Sequence, residues 1–406
     1  MGPVRMLRLA AGGDGVGKLA DGRTVFVPRT APGDLAELTE LRPAKRFARA
    51  RLARLVEASP DRVEPPCPHY TRDLCGGCQL QHLAYGAQLE ARRSFAGDAL
   101  RRLARLDMPD PPIEPATDQL GYRTRLTLAA ANGRIGLHRY GRADAVFDLE
   151  WCHITAAALN ELWQVVRTVR VLLPMALEQV VLRLDRAGGR HLIARVTGSR
   201  GWTRADELAG ELAAAGVPAV LWWQPGGGVP RVVAGRAGNE APAGVFEQVH
   251  PRMGDRVRGF AVERLGPLAG RAVWDLYAGV GDTTAMLARA GARIESVELD
   301  RRAVAYAERT GPPASRHVGA VEVVARTLAD SELVVTNPPR TGMDAEVPAV
   351  LRQRRPRRIV YLSCDPATLA RDLVRLAPAY RLTEARCFDL FPQTAHVEMV
   401  AVLERA

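Results

Sequence analysis

Apolar and polar positions along the chain change rhythm three times. Residues 1–62 carry short apolar runs, Met6-Leu7-Arg8-Leu9-Ala10 and Thr24-Val25-Phe26-Val27, broken by Gly12-Gly13-Asp14-Gly15 and Asp21-Gly22. Short runs between turn signals predict several brief strands closing into a compact barrel. Residues 63–82 form a loop rich in Cys, Pro and Gly. Across 88–106 the apolar residues Leu89, Phe95, Leu100, Leu103 and Leu106 recur at helical spacing. Arg92, Arg93, Arg101, Arg102 and Arg105 fall elsewhere, so the segment predicts a helix with one apolar side. Residues 121–245 read mostly as strands and turns, with helices near 155–169 and 204–214 and a Pro/Gly loop at 224–230. From about 246 the texture becomes alternating strand and helix. Strands are predicted at 272–276, 293–299, 332–336 and 358–362, and this βαβα order implies a parallel, doubly wound sheet.

The chain has 406 residues, which at roughly 100–200 residues per domain suggests two to four domains. With 47% hydrophobic and 25% charged residues, wholesale disorder is excluded. No apolar run approaches the roughly 18 residues of a transmembrane helix. The start, Met1-Gly2-Pro3-Val4-Arg5, lacks the apolar core of a signal peptide. A cytoplasmic protein without a membrane partner is expected. Bases outnumber acids, 56 to 45, for a net charge of +11, which favours a polyanionic partner such as nucleic acid. All bases but Lys18 and Lys45 are arginine. A GC-rich genome accounts for that preference but not for the surplus. Within the barrel segment, Arg42, Lys45, Arg46, Arg49, Arg51 and Arg54 stand without an intervening acid. Such a run beside a small barrel points to RNA. The arginines of 92–105 and 352–358 extend the same expectation.

Four motifs in the last third carry chemistry. Asp275-Leu276-Tyr277-Ala278-Gly279-Val280-Gly281-Asp282 takes a strand into a Gly-x-Gly turn, which lets a ligand approach the backbone closely. The next strand ends in Val297-Glu298-Leu299-Asp300, placing an acid where it can accept hydrogen bonds from ribose hydroxyls. The third glycine of a dinucleotide fingerprint is missing, so S-adenosylmethionine fits better than NAD. Asn337-Pro338-Pro339-Arg340 puts a stiffened polar residue at a strand end, suited to holding the edge of a planar base. Amino-group methyltransferases carry an aromatic where this chain has Arg340, which argues against methylation of an adenine or cytosine amino group. Ser363-Cys364-Asp365-Pro366 places a cysteine between an apolar strand and a helix start, a setting for an activated thiolate. Phe391 to Glu398 ends in a glutamate that is a candidate general base.

Of six cysteines, Cys67, Cys75 and Cys78 lie within twelve residues and Cys152 lies far downstream. Four thiolates can hold zinc or an iron–sulfur cluster, and the three-plus-one spacing leans toward the cluster. Cys387 has no evident role.

Together these residues resemble one family, the RNA uracil-C5-methyltransferases that form 5-methyluridine. The resemblance covers nearly the whole chain. Gly13-Asp14-Gly15-Val16-Gly17 and Phe26-Val27-Pro28 with Pro32-Gly33-Asp34 resemble a TRAM domain, an OB-like RNA-binding barrel. Cys75-Gly76-Gly77-Cys78-Gln79-Leu80-Gln81-His82 is similar to the family's iron–sulfur signature. That implies a [4Fe–4S] cluster on Cys67, Cys75, Cys78 and Cys152. Ser363 to Asp372 resembles the nucleophile motif, and Phe391 to Glu398 the motif that contains the base. Phe246-Glu247-Gln248-Val249 is similar to the Phe-x-Gln element beside cofactor and base. Where the family usually has Asp-Pro-Pro-Arg, this chain has Asn337, a neutral acceptor for uracil N3–H.

The implied fold is α/β plus β. It comprises an N-terminal OB-like TRAM β-barrel (1–62), a central β-rich iron–sulfur domain (63–245) and a C-terminal Rossmann-like methyltransferase domain (246–406). The helix at 88–106 is expected to pack on the catalytic part. The implied activity is S-adenosylmethionine-dependent formation of 5-methyluridine in 23S ribosomal RNA by a monomer. Cys364 is the expected nucleophile and Glu398 the expected base, with Gln248, Tyr277, Glu298 and Asn337 at cofactor and base. The same reaction on tRNA is the alternative. A non-catalytic RNA-binding protein or RNA chaperone is the alternative of another class.

Overall fold

The computed structural model describes residues 2–406 except 237, 239–242 and 246. The first five strands, β1 (Val4–Leu9), β2 (Gly15–Lys18), β3 (Thr24–Val27), β4 (Leu35–Pro43) and β5 (Phe47–Glu57), close into a barrel in the order β1-β2-β3-β5-β4. Alternate residues Val4, Met6, Val25, Val27, Ala36, Ala48 and Ala50 point inward and fill it, as period-two patterning requires. Asp34, just before β4, is fully buried against the segment by which the chain leaves the barrel. Its carboxylate accepts from the Ala31 and Ser59 amides and pairs with Arg62 at 2.7 Å. A buried charge is tolerable only with such a complete set of partners.

The cysteine loop follows, with a single-turn helix α1 (Pro68–Thr71), then helix α2 (Tyr85–Arg102) and a two-residue strand β6 (Ile113–Glu114). The central sheet has seven strands: β7 (Arg125–Ala131), β8 (Arg134–Arg139), β9 (Arg142–Asp148), β10 (Leu177–Leu184), β11 (Arg190–Val196), β12 (Ala219–Gln224) and β13 (Arg231–Ala234). They lie in the order β13-β12-β11-β10-β7-β8-β9. Helices α3 (Ala157–Thr168) and α4 (Ala205–Ala214) cover one face. Their apolar stripe, Leu159, Leu162, Trp163, Val166, Leu208 and Leu212, packs on Leu128, Val180, Leu182 and Leu192.

The C-terminal part alternates strand and helix. Helix α5 (Pro251–Leu265) precedes β14 (Ala272–Leu276), α6 (Asp282–Arg289), β15 (Arg293–Glu298), α7 (Arg301–Thr310) and β16 (Ser315–Val318). Then come α8 (Val321–Val324), β17 (Leu333–Thr336), α9 (Glu346–Arg354), β18 (Arg358–Ser363), α10 (Pro366–Leu376), β19 (Tyr380–Phe388) and β20 (Glu398–Arg405). The sheet order is β16-β15-β14-β17-β18-β20-β19-β6. Strands β14 to β18 are parallel, and β20 enters antiparallel between β18 and β19. The order reverses at β14/β17, the switch point beside which open α/β sheets bind ligands.

Two expectations change. The segment 63–245 is not all central: β6 pairs with β19, and Ala96 and Leu100 of α2 enter the same core as Trp274 and Tyr361. The helix therefore packs on the catalytic sheet as expected, but over Tyr85–Arg102 rather than 88–106. Its sides also differ from the prediction. Arg92 is fully buried while Leu103 is about half exposed, because Arg92 meets buried acceptors rather than solvent. No helix among the described residues is long and apolar enough to cross a membrane.

Candidate active site and cysteine cavity

The turn after β14 is built from left-handed backbone. Tyr277, Gly279 and Gly281 have φ of +62°, +57° and +87°, and the first is costly for a side chain with a Cβ. A Cβ on Gly279 would meet nothing within 4 Å, so the turn is open on the crevice side. Glu298, at the end of β15, accepts from the Gly279 amide at 2.9 Å through Oε2 and from the Asp300 amide at 2.8 Å through Oε1. Each oxygen carries one donor and keeps a lone pair for a further hydroxyl. Beneath the turn, burial raises Asp275 to a pKa of about 7 despite the hydrogen bond from Thr284 Oγ1 at 2.6 Å. The cradle therefore fits an uncharged nucleoside bearing vicinal hydroxyls.

Asn337 follows β17, its amide donating to Leu276 O at 3.2 Å. This straps the Asn-Pro-Pro turn to the end of β14. Gln248 sits at the entrance to α5 against Gly254, where a Cβ would come within 3.0 Å of its own Cβ. It makes no hydrogen bond to Tyr277, Glu298 or Asn337 among the described residues. Phe246 of the same element lies outside the described residues.

Strand register brings the two proposed reacting groups together. Strands β18 and β20 pair with Ser363 opposite Met399. Cys364, the residue after β18, and Glu398, the first of β20, thus lie at the same end of the pair, close enough for the Glu398 charge to act on the thiol. Cys364 is half-buried and Glu398 is 2% exposed. Burial pushes the Cys364 thiol up, the Glu398 charge adds to this, and Arg340 opposes it. Asp365 caps α10 by accepting from the Ala367 and Thr368 amides, both at 2.9 Å. The helix amides nearest the thiol are thus occupied, leaving Arg340 as the cation that favours a thiolate. Burial raises Glu398 to about 8, with Arg340 again opposing. Arg340 itself is exposed and makes no hydrogen bond or ion pair among the described residues. His396, on the rim, packs edge-on to Phe391 with centroids 5.9 Å apart.

Cys67, Cys75, Cys78 and Cys152 line one cavity of about 180 Å³ together with Tyr70, Gln81, Arg123 and His153. None is in a disulfide. Three come from the loop and Cys152 from beyond β9. The space is roughly six waters' worth at about 30 Å³ each, larger than one ion needs. Among the described residues no three His, Cys, Asp or Glu side chains converge closely enough to hold a single metal ion. Burial pushes Cys67, Cys75 and Cys78 up, Cys75 to about 12. Four free cysteines around one cavity are a donor set that, as thiolates, fits a multinuclear sulfur-ligated centre.

The basic run of the barrel is less unbalanced than its sequence. Arg49 pairs with Asp14 at 3.5 Å, Arg51 with Glu40 at 3.2 Å and Arg54 with Glu37 at 2.5 Å. Arg42 reaches Glu40 at 3.7 Å. Acids distant in sequence are neighbours across the barrel. Lys45 and Arg46, beside exposed Phe47, have no acid partner among the described residues and form its cationic tip. Arg354 and Arg358 are likewise taken up by Asp330 and Glu404. Arg92, expected on the RNA face, faces Asp389 at 3.5 Å inside the protein.

A doubly wound sheet with a nucleoside cradle and a cysteine–glutamate pair across one strand boundary defines a methyltransferase dependent on S-adenosylmethionine. A family model for tRNA (uracil-5-)-methyltransferase matches residues 328–406. An RNA methyltransferase of Streptomyces coelicolor is 34% identical, over 100% of this chain and 92% of its own length. A 23S rRNA (uracil(1939)-C(5))-methyltransferase of Halomonas elongata is 32% identical, over 98% and 88%. The fold is that of a solved tRNA (uracil-54, C5)-methyltransferase from Pyrococcus abyssi in complex with S-adenosyl-L-homocysteine. That structure has a TM-score of 0.76 at 22% identity and covers 98% of this chain and 100% of that one. The chain belongs to the RNA uracil-C5-methyltransferase family, and it is an RNA-modifying enzyme rather than a non-catalytic binder.

Glu398 generates a test independent of catalysis. A carboxyl raised from 4.5 to about 8 keeps in the folded state a proton that the unfolded chain releases. Its contribution to stability is complete below pH 4.5 and is lost as pH rises through about 8. Infrared difference titration should show, besides the Asp275 carboxyl, a protonated carboxyl component that persists at pH 7, fades toward pH 9 and is lost in Glu398→Gln. A band that disappears near pH 5 contradicts it.

Proposed function

We propose that this enzyme forms 5-methyluridine in 23S ribosomal RNA, using Cys364 as nucleophile and Glu398 as base. The observation that supports the reading is the antiparallel β18–β20 pairing, which puts Cys364 and Glu398 at one end of the two strands, both under the influence of Arg340. The Halomonas relative, 32% identical over 98% of this chain and named for a 23S rRNA uracil, supports ribosomal RNA as the substrate. The tRNA reading stays as the alternative, favoured by the name of the Pyrococcus enzyme.

Uracil C5 is a weak nucleophile. The Cys364 thiolate adds to C6, forming an Sγ–C6 bond and moving the C5=C6 electron pair into an enolate with carbanion character at C5. S-adenosylmethionine, when bound, would supply the methyl group that C5 takes up as the sulfonium S–CH3 bond breaks, leaving S-adenosylhomocysteine. Glu398 then removes the C5 proton, the C5=C6 bond re-forms, and Cys364 leaves as thiolate. A carboxylate with a pKa near 8 is a stronger base than an ordinary one and better matched to this transfer. The Asn337 side-chain oxygen can accept from uracil N3–H, without the charge that strengthens such bonds. Arg340 and Gln248 position the base, while Tyr277 and Glu298 hold the adenosine. The target must leave its stack to reach the crevice, and the tip at Lys45 and Arg46 grips RNA with an affinity that falls with salt.

Cys67, Cys75, Cys78 and Cys152 are the proposed ligands of a [4Fe–4S] cluster. Bound there, it would tie the loop that carries Cys67, Cys75 and Cys78 to the segment after β9 that carries Cys152.

Three tests follow from this reading. Cys364→Ser should abolish turnover and Cys364→Ala should abolish covalent trapping of 5-fluorouridine RNA; trapping that persists in the Ala variant removes Cys364 from the mechanism. Mapping 5-methyluridine in total RNA of a deletion strain should show a loss in 23S ribosomal RNA; a loss confined to tRNA establishes the alternative. Protein purified without oxygen should be brown and contain iron and sulfide, and stoichiometric zinc without iron would refute the cluster.

A further inference from the structure

Four consecutive carbonyls shortly before Glu398 accept hydrogen bonds from residues 79–122, far away in sequence, Phe391 O also from Thr394. Phe391 O accepts from Arg92 Nη2 at 3.4 Å and Pro392 O from the Tyr122 hydroxyl at 3.0 Å. Gln393 O accepts from the Gln79 and Leu80 amides at 3.1 and 3.0 Å, and Thr394 O from Arg92 Nε at 3.1 Å. The Ala395 amide donates in return to Gln79 Oε1 at 3.2 Å. The Gln393 side chain is held from both ends: its amide oxygen accepts from Gln88 Nε2 at 3.0 Å, while its backbone N–H donates to Gln88 Oε1 at 3.1 Å. Gln393 has φ of +70°. A residue with a Cβ keeps that conformation only where its surroundings over-determine it.

Apart from Tyr122, the donors arise from two neighbouring elements, the cysteine turn and α2. Gln79 directly follows Cys78, and its Nε2 donates to Gly76 O at 2.8 Å, so its side chain is fixed by the cysteine turn. Arg92 is fully buried in α2 and faces equally buried Asp389. Cys364 receives none of this support, since its strand end is held by the Asp365 cap on α10. Loosening the frame would displace Glu398 and leave the nucleophile in place.

We propose that Gln79 and Arg92 are positioning residues for the proton-removal step, holding residues 391–397 so that Glu398 reaches C5–H. The proposal rests on the roles given above to Cys364 and Glu398. It also links the cysteine turn to catalysis, since the residue after Cys78 sets the loop that ends in the base. An enzyme lacking either contact adds Cys364 to the base and methylates C5, then stalls before the adduct breaks down.

The test uses the full-length enzyme, total RNA from a deletion strain and S-adenosylmethionine labelled in its methyl group. Denaturing gels read the methyl-labelled protein–RNA adduct, and released 5-methyluridine is counted separately. Glu398→Gln should trap the adduct. Gln79→Ala and Arg92→Lys should trap it too, with kcat lowered roughly 10²-fold, the scale of a group misplaced by about 1 Å, and KM for S-adenosylmethionine unchanged. Iron content matching wild type in both variants separates positioning from loss of the cluster. Should Gln79→Ala lose iron or fold poorly, Arg92→Lys, remote in sequence from every cysteine, decides alone. Release at the wild-type rate, or lost activity without trapped adduct, overturns the proposal. Absence of adduct in Glu398→Gln itself would instead overturn the role given to Glu398.

Discussion

The reactive edge depends on one backbone constraint, the antiparallel entry of β20 into an otherwise parallel run of strands. A parallel neighbour of β18 would bring the far end of its own strand away from Cys364. Antiparallel pairing puts the first residue of β20 at the same end as the residue that follows β18. The side-chain period of a strand is two, so a slip of one residue would turn Glu398 to the opposite face. The register is held by β20 being buried on both faces, with Met399, Val400, Ala401 and Leu403 almost without exposure. The apolar strand thus secures the position of one polar residue at its tip.

The same burial sets the chemistry of the pair. A carboxyl and a thiol, neighbours in a dry crevice, both resist ionisation, and ionising either makes the other harder to ionise. Arg340 is the group that relieves this. Arg340 replaces an aromatic side chain, and thus stacking surface, with charge. That suits a reaction passing through an anionic ring more than one at an exocyclic amine.

Much of this was legible in the sequence because it is local. The strands of the catalytic sheet follow from apolar runs, and the left-handed turn after β14 from its glycines. The pairing of Asp365 with α10 follows from a cap beside a proline. What was not legible depends on partners distant along the chain. Arg92 reads as a solvent-facing arginine on an amphipathic helix, and only the fold supplies Asp389 and the carbonyls of 391 and 394. The barrel's bare arginine run gains its acids from the neighbouring strand and from Asp14. Ile113 and Glu114 are too few to register as a strand in any periodicity, yet they complete the sheet beyond β19.

That outermost strand carries a consequence for the protein's history. The catalytic sheet borrows its last strand and a covering helix from residues that precede the central sheet, while Gly13 of the barrel lies against Gln79 and Ala395, where a Cβ would stand 2.9 and 3.3 Å away. The parts are therefore not beads on a string that shuffling could exchange freely. A gene that shed residues 85–114 would leave β19 with a bare edge and Asp389 without its cation. Losing that segment would demand matched changes at the far end of the chain.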